Sequence, residues 1–370
     1  MSLTPIRQAL LEILADGEFH SGEQLGERLG ISRAAVSKHV AALKALGLDV
    51  YSLTGRGHCL ALPLALYDQG WLQQQLPLAP VSVFPVIDST NQYLLDRVES
   101  LSSGALCLAE CQTAGRGRRG KPWVSPFGCQ LILSLYWRLE QGMAAVMGLS
   151  LAVGVAVVDA LEALGYPGVT LKWPNDLYYE GRKLAGILVE MSGSAGGLCH
   201  VVVGVGLNLA MPDGEADKID QPWAELRQVR REPVDRNQLA AHVGRSLQQA
   251  MQRFEQGGLA SFVNRWNQLD CFKGQPVRLL MGEQEVRGVA RGIDERGALR
   301  LETGEGVRLF FGESSRCAPF ESRLWPHCSG FLVLHQARHS AGQIFLDIRH
   351  AIGQLRRLFR QTASIRREVQ

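Results

Sequence analysis

Gln112-Thr113-Ala114-Gly115-Arg116-Gly117-Arg118-Arg119-Gly120-Lys121-Pro122-Trp123 is the stretch on which the fold assignment turns. It packs three glycines and four cations into a loop between two predicted strands. Glycine lets the backbone turn freely and approach a ligand closely, and guanidinium and ammonium groups hold phosphate or carboxylate oxygens. Gly115, Gly117 and Gly120 satisfy the spacing G-x-G-x-x-G. A dinucleotide-binding Rossmann unit, however, needs a strand, a turn and then a helix, and no helix opens at Lys121-Pro122-Trp123. By itself the run reads as a solvated basic loop or as a basic lid that closes over an anion.

Two further segments favour the lid. One is Lys172-Trp173-Pro174-Asn175-Asp176, followed by Gly181-Arg182-Lys183-Leu184-Ala185-Gly186-Ile187-Leu188-Val189-Glu190; the other is Asp88-Ser89-Thr90-Asn91, which opens a predicted helix. In this order, and behind a helix-turn-helix pattern, the three closely resemble the biotin–protein ligases, in particular the bifunctional bacterial type that also represses the biotin operon. The resemblance runs from about Gly17 to about Glu313.

The N-terminal pattern is legible from local signals. A first helix is expected from Thr4 to Ala15, and Ser21-x-x-Gln24 is a capping box for a second. Ser32 caps a third, in which Val36, Val40 and Leu43 fall on one face while Arg33, Ser37, Lys38 and Lys44 project elsewhere. That suits a recognition helix, and Val50 to Leu62, with Thr54-Gly55-Arg56-Gly57 at its tip, suits a wing. Without the resemblance, a helical oligomerisation module with a charged face fits the pattern equally well.

Residues 64–80 read as a linker with a short helix around Tyr67–Gln75. From Val81 to about Asp270 strands and helices mix. Strands are expected at Val81–Val86, Ala105–Cys111, Gln130–Trp137, Val169–Lys172, Lys183–Ser192 and Cys199–Leu207, and helices at Thr90–Leu101, Ala144–Leu164 and Asn237–Gln256. Short alternating segments from Gln275 to Phe311 predict a small β-barrel. The expected class is α+β with a mostly antiparallel central sheet. The resemblance implies a winged helix-turn-helix over residues 1–63, a class II synthetase-like ligase domain over 81–270 and an SH3-like barrel over 271–313.

Composition is ordinarily globular, with 46% hydrophobic and 20% charged residues. No apolar run is long enough to span a bilayer, no secretory leader is visible, and the eight cysteines form no C-x-x-C pair. These features point to a cytoplasmic, reducing setting without membrane association. After Glu313 the chain holds nine arginines, no lysine and three acids, so this tail carries +6 and the body −3. Residues 314–370 match nothing in the family. A frame change near the end of the gene would produce such a tail, and it would then be poorly ordered and the barrel short of its final strand. Its rival is a basic amphipathic helix built on Ile344, Ile348, Leu355 and Phe359.

The resemblance implies a reaction and the residues for it. ATP and biotin, with Mg²⁺, would give biotinyl-5′-adenylate, and a lysine of biotin carboxyl carrier protein would then take the biotinyl group. Lys183 would be the main electrostatic catalyst. Arg116 and Arg118 would clamp the adenylate, with Gly117 between them, and Asp176 would orient or deprotonate the incoming amine. Ser89, Thr90, Asn91 and Gln112, with the backbone of Gly186 and Leu188, would hold the ureido head of biotin. Trp123, Asn175 and Asn208 would contact the nucleotide. No protein-held metal is expected. Gly22, Ser32, Arg33, Ser37, Lys38, Ala41 and Arg56 would contact operator DNA, and the adenylate-bound protein would be a homodimer. A lipoate-type cofactor ligase and a ligand-responsive repressor without catalysis are the competing readings.

Overall fold

The computed structural model describes residues 3–320 except 62, 194–196, 212–218, 220, 233, 283 and 313–314. The expectations for the tail beyond residue 320 therefore lie outside the described residues.

Helix α1 (Pro5–Leu14) starts behind Thr4, whose hydroxyl accepts from the Arg7 amide, with proline in the first turn. Helix α2 (Gly22–Leu29) has the capping box in both directions and ends on Gly30 at φ 65°. Helix α3 (Arg33–Lys44) is capped by Ser32 and buries Val36, Val40 and Leu43. These pack with Leu10, Leu14 and Leu25, and the cluster is closed from the next domain by Cys111 and Phe127. Strands β1 (Val50–Leu53) and β2 (Gly57–Leu60) pair antiparallel as the wing.

The connecting segment is pinned rather than loose. Helix α4 (Gln69–Gln75) is capped by Asp68. Just before it, the Tyr67 amide donates to Glu110 Oε1 at 2.7 Å, and Glu110 Oε2 lies 2.6 Å from Arg236 Nη2. Arg236 also donates to the Ala65 carbonyl at 2.8 Å and stacks on the Tyr67 ring. Burial beside Glu110 pushes the Tyr67 phenol up to about 12.

The central sheet combines β3 (Val81–Phe84), β4 (Leu106–Ala109), β5 (Gln130–Leu139), β6 (Thr170–Lys172), β7 (Asp176–Tyr179), β8 (Arg182–Gly193) and β9 (Cys199–Asn208). Its order is β3-β4-β5-β9-β8-β7-β6, and only β3–β4 is parallel. Helix α5 (Thr90–Leu95) enters between β3 and β4 and stops well short of Leu101. The predicted helix from Ala144 is broken by Gly148, at φ 80°, into a 3-10 turn at Met143–Val146 and helix α6 (Leu149–Ala163). α6 is almost wholly apolar and buried from Leu149 to Val158, and only its last turns expose the acids Asp159 and Glu162, which pair with Arg265. Strand β7 was not expected: Pro174-Asn175-Asp176 reads as a turn, and four residues are too few to display alternation.

After the single turn α7 (Leu226–Val229), α8 (Arg236–Gly257) and the unanticipated α9 (Ala260–Leu269) pack beside α6. Strands β10 (Pro276–Met281), β11 (Gln284–Ile293), β12 (Leu299–Thr303), β13 (Gly306–Phe310) and β14 (Ser315–Pro319) form a five-stranded antiparallel sheet in the order β13-β12-β11-β10-β14. β14 corrects the expectation of a missing last strand. It pairs with β10 from Val277↔Pro319 to Met281↔Ser315 and buries Cys317. Backbone pairing needs no family-like sequence, so this strand forms beyond the point where the resemblance ends. Among the described residues no helix is long and apolar enough to cross a membrane, and no described cysteine forms a disulfide.

Candidate active site

One face of the central sheet is packed by α6 and α8; the other carries α5 over β4, β5 and β9, above an apolar cluster with Leu94, Tyr136 and Val202, and opens beyond it. Register pairs Gln130 with Asn208, Ser134 with Gly204, Gly186 with Gly206 and Asp176 with Gly186. Alternation along each strand then places Gln130 and Ser134, Gly204, Gly206 and Asn208, and Gly186, Leu188 and Glu190 on one face. The glycines are there for room. A Cβ at Gly206 would stand 2.6 Å from Trp123 Cε2, and one at Gly204 would stand 2.5 Å from Asn91 Oδ1.

A cleft of about 520 Å³ opens on this face. Every residue assigned above to biotin, nucleotide or catalysis lines it: Ser89, Thr90, Asn91, Gln112, Arg116, Gly117, Arg118, Trp123, Asn175, Asp176, Lys183, Gly186, Leu188 and Asn208.

Lys183 reaches the cleft through a bulge. Lys183 and Gly186 are three residues apart, so a regular pleat would place them on opposite faces. Pairing shifts from Leu177↔Ala185 to Tyr178↔Lys183, leaving Leu184 as the extra residue, and both Lys183 and Gly186 then face the cleft. The Lys183 ammonium lies 2.7 Å from Asp176 Oδ1, off the hydrogen-bond direction, and 5.5 Å from the centroid of the Trp123 ring. Its backbone is fixed by Pro222 and Ala224 on either side of Trp223.

The lid lies down on the cleft. Arg118 Nη1 donates to Asn175 Oδ1 at 3.0 Å, and Nη2 donates to the carbonyl of Gly312 beyond β13. Burial pulls the Arg118 guanidinium below its usual value, with the Asp176 carboxylate opposing that shift. Arg119, exposed at the rim of the cleft, sits in the left-handed region at φ 57°. The Trp123 indole rests on Gly186 and Gly206 and donates its N–H to Gln130 Oε1 at 3.0 Å. Gln130 in turn donates to Asn208 Oδ1 at 2.9 Å, and Asn208 to the Ala224 carbonyl. The Asn208 amide thereby braces the floor of the cleft.

At the other end, Thr90 N and Oγ1 both donate to Gln112 Oε1, at 2.8 and 3.0 Å. Ser134 Oγ lies 2.7 Å from Thr90 Oγ1 and 2.6 Å from Asn91 Oδ1. One hydroxyl carries one proton, so Ser134 cannot donate to both neighbours at once. A compact group with both donors and acceptors can exploit that spare capacity. Ser89 sits 4% exposed as the cap of α5.

On the N-terminal domain, Ser32, Arg33, Ser37, Lys38 and Ala41 are exposed along α3, Gly22 is half-buried beside Arg33, and Arg56 at the wing tip stacks over Phe19 at 4.8 Å.

Sequence reasoning passed over Gln130, Ser134, Lys172 and Trp223, which line or brace the cleft. The signal for the first two was present: polar residues four apart in an apolar strand share a face. Lys172 is 6% exposed and donates to the Tyr178 hydroxyl at 2.8 Å.

Fold and site together define a small-molecule ligase domain joined to a winged helix-turn-helix. The sequence profile of the biotin/lipoate A/B protein ligase family matches residues 83–208, an HTH domain matches 6–58, and the biotin protein ligase C-terminal domain matches 272–313. The bifunctional ligase/repressor BirA of Salmonella typhimurium is 51% identical over 297 residues, covering 80% of this chain and 92% of the relative. BirA of Escherichia coli is 51% identical over 288 residues, covering 78% and 89%. The Aquifex aeolicus biotin protein ligase in complex with biotin and ATP superposes with a TM-score of 0.56 at 26% identity, covering 65% of this chain and 99% of that one. The chain belongs to the biotin–protein ligase family, in its bifunctional ligase/repressor branch.

Proposed function

We propose that the protein joins biotin and ATP into biotinyl-5′-adenylate, passes the biotinyl group to a lysine of biotin carboxyl carrier protein, and represses the biotin operon when the adenylate is bound. The observation that carries the catalytic part is the meeting of Lys183, Asp176, Arg118 and Asn175 at one end of the cleft, with the Thr90–Gln112–Ser134 group at the other.

The biotin carboxylate attacks the α-phosphorus of ATP, and pyrophosphate leaves. The phosphorus gathers negative charge, and the Lys183 ammonium and Arg118 guanidinium are pre-aimed at that charge. Asp176 first holds the Lys183 side chain in place. It then takes a proton from the acceptor amine as that amine attacks the acyl carbon and AMP departs. The Trp123 face receives adenine while Gln130 fixes the ring edge. The lid excludes water, which would otherwise hydrolyse the mixed anhydride. Mg²⁺ fits as the companion of the nucleotide. Asp176 and the Asn175 oxygen would be the protein groups nearest to it, and it would offset charge on the phosphates.

For repression, one winged helix-turn-helix reads one half-site, and paired half-sites need a two-fold dimer. Arg33, Ser37 and Lys38 face the major groove from α3 and Arg56 the adjacent backbone, with Ser32, Ala41 and Gly22 completing the contact surface.

Pyrophosphate release with biotin and ATP, compared with lipoate and ATP, tests the enzyme. Release with lipoate alone would make this a lipoate-type ligase, and release with neither would leave a ligand-responsive repressor.

A further inference from the structure

Glu190 closes the lysine-bearing motif, and no step above uses it. It follows Gly186 and Leu188 on the cleft face of β8 but does not line the cleft, and its side chain is 27% exposed. Its two oxygens serve two elements. Oε2 accepts from Asn91 Nδ2 at 2.8 Å, and Oε1 lies 3.3 Å from Arg116 Nη2. The same Arg116 nitrogen donates to Gln92 Oε1 at 3.1 Å. One carboxylate thus joins the start of α5 to the first arginine of the lid. It also sets the orientation of the Asn91 amide: with Nδ2 committed to Glu190, Oδ1 faces Ser134 at 2.6 Å.

We propose that Glu190 is a positioning residue that latches the lid to the wall of the biotin pocket through Arg116. Arg116 is then a lid anchor, and the adenylate charge falls to Arg118 and Lys183. The chemistry supports this division. The Glu190 carboxylate offsets the charge of Arg116, whereas the Arg118 bonds described above go to a neutral amide and a carbonyl and leave its charge for phosphate. The lid is flanked by glycines and loses much conformational entropy on closing, so a charged tie at its first arginine raises the closed population. The inference rests on reading the cleft as the biotinyl-adenylate site.

The test uses the full chain with Glu190→Gln, which keeps an acceptor for Asn91 and removes the charge facing Arg116. Trypsin cleavage at Arg116–Gly117 in ligand-free protein, mapped by mass spectrometry, should be about fivefold faster than in the unaltered protein. Adenylate should escape about tenfold faster, with the first-turnover rate of pyrophosphate release within about twofold. Arg116→Gln should mimic the escape, and the double substitution should add nothing further, because one tie is cut in all three. Additive effects, or unchanged cleavage and retention, would overturn the latch. A lower melting temperature with loss of first-turnover rate would also overturn it, by marking Glu190 as structural. If the unaltered protein forms no adenylate, the functional reading fails, while the trypsin comparison still decides the latch.

Discussion

Lys183 Nζ stands 2.7 Å from Asp176 Oδ1, and both side chains are mostly buried, at 15% and 19% exposure. The pair spans two neighbouring strands at a bulge, so the sheet fixes both backbones at that separation. Lys183→Ala should lower adenylate formation by about 10²–10³-fold, the usual effect of removing one pre-aimed charge. Pyrophosphate release measures the loss and circular dichroism the fold; near-normal synthesis would remove Lys183 from the reaction centre.

Arg118 bridges Asn175 and the Gly312 carbonyl, tying the lid to two elements far apart in sequence. Arg118→Gly removes both ties and adds backbone freedom. The variant should still make adenylate but release it, so lysines on bystander proteins become biotinylated. Labelling confined to the proper acceptor would contradict the lid role.

The Glu110–Arg236 pair is 4% and 6% exposed and holds the segment before α4. Arg236→Met strands a buried carboxylate and should cost about 3–5 kcal/mol in urea unfolding. Adding Glu110→Leu should recover much of that loss, because the desolvation penalty disappears with the charge. A double variant as unstable as the single one would show that the pair itself, rather than the stranded charge, matters.

Asp270 is half-buried, its shielded Oδ2 lacks a hydrogen-bond partner, and desolvation raises its carboxyl to about 6. A raised folded value means that its contribution is fully present below the unfolded value near 3.8 and is lost as pH climbs through about 6. Asp270→Asn should therefore match the unaltered protein at pH ~3.5 and exceed it by about 1–3 kcal/mol at pH ~7.5. Urea unfolding at the two pH values checks this; an equal offset at both would rule out titration of Asp270 as the cause.

Arg33 is exposed at the first turn of α3, away from the Val36, Val40 and Leu43 core. Arg33→Ala should weaken operator binding about tenfold and leave ligase turnover unchanged. Loss of both activities would make the residue structural. Sedimentation with and without biotin plus ATP should show dimers only when both are present, and equal monomer fractions would refute adenylate-driven pairing.

Local chemistry made much of this protein legible in its sequence. Thr4, Ser21 and Ser32 cap helices with their own side chains, and Val36, Val40 and Leu43 mark a buried face by spacing alone. The absence of a helix after Gly120 excluded a Rossmann site without any knowledge of distant strands. All of these depend on neighbours within a turn or two. Tertiary structure decided the rest. Lys183 and Gly186 share a face only because β7 offers Leu177 and Tyr178 at a bulged register, and no spacing within β8 reveals that. Trp123 lies flat because Gly186 and Gly206, 63 and 83 residues further on, lack side chains at that point. Glu190 meets Arg116 across 74 residues, and β14 forms where the sequence no longer resembles the family, because β10 presents an unpaired edge. Pairing between distant segments depends on the geometry of both partners, and a sequence states each partner separately.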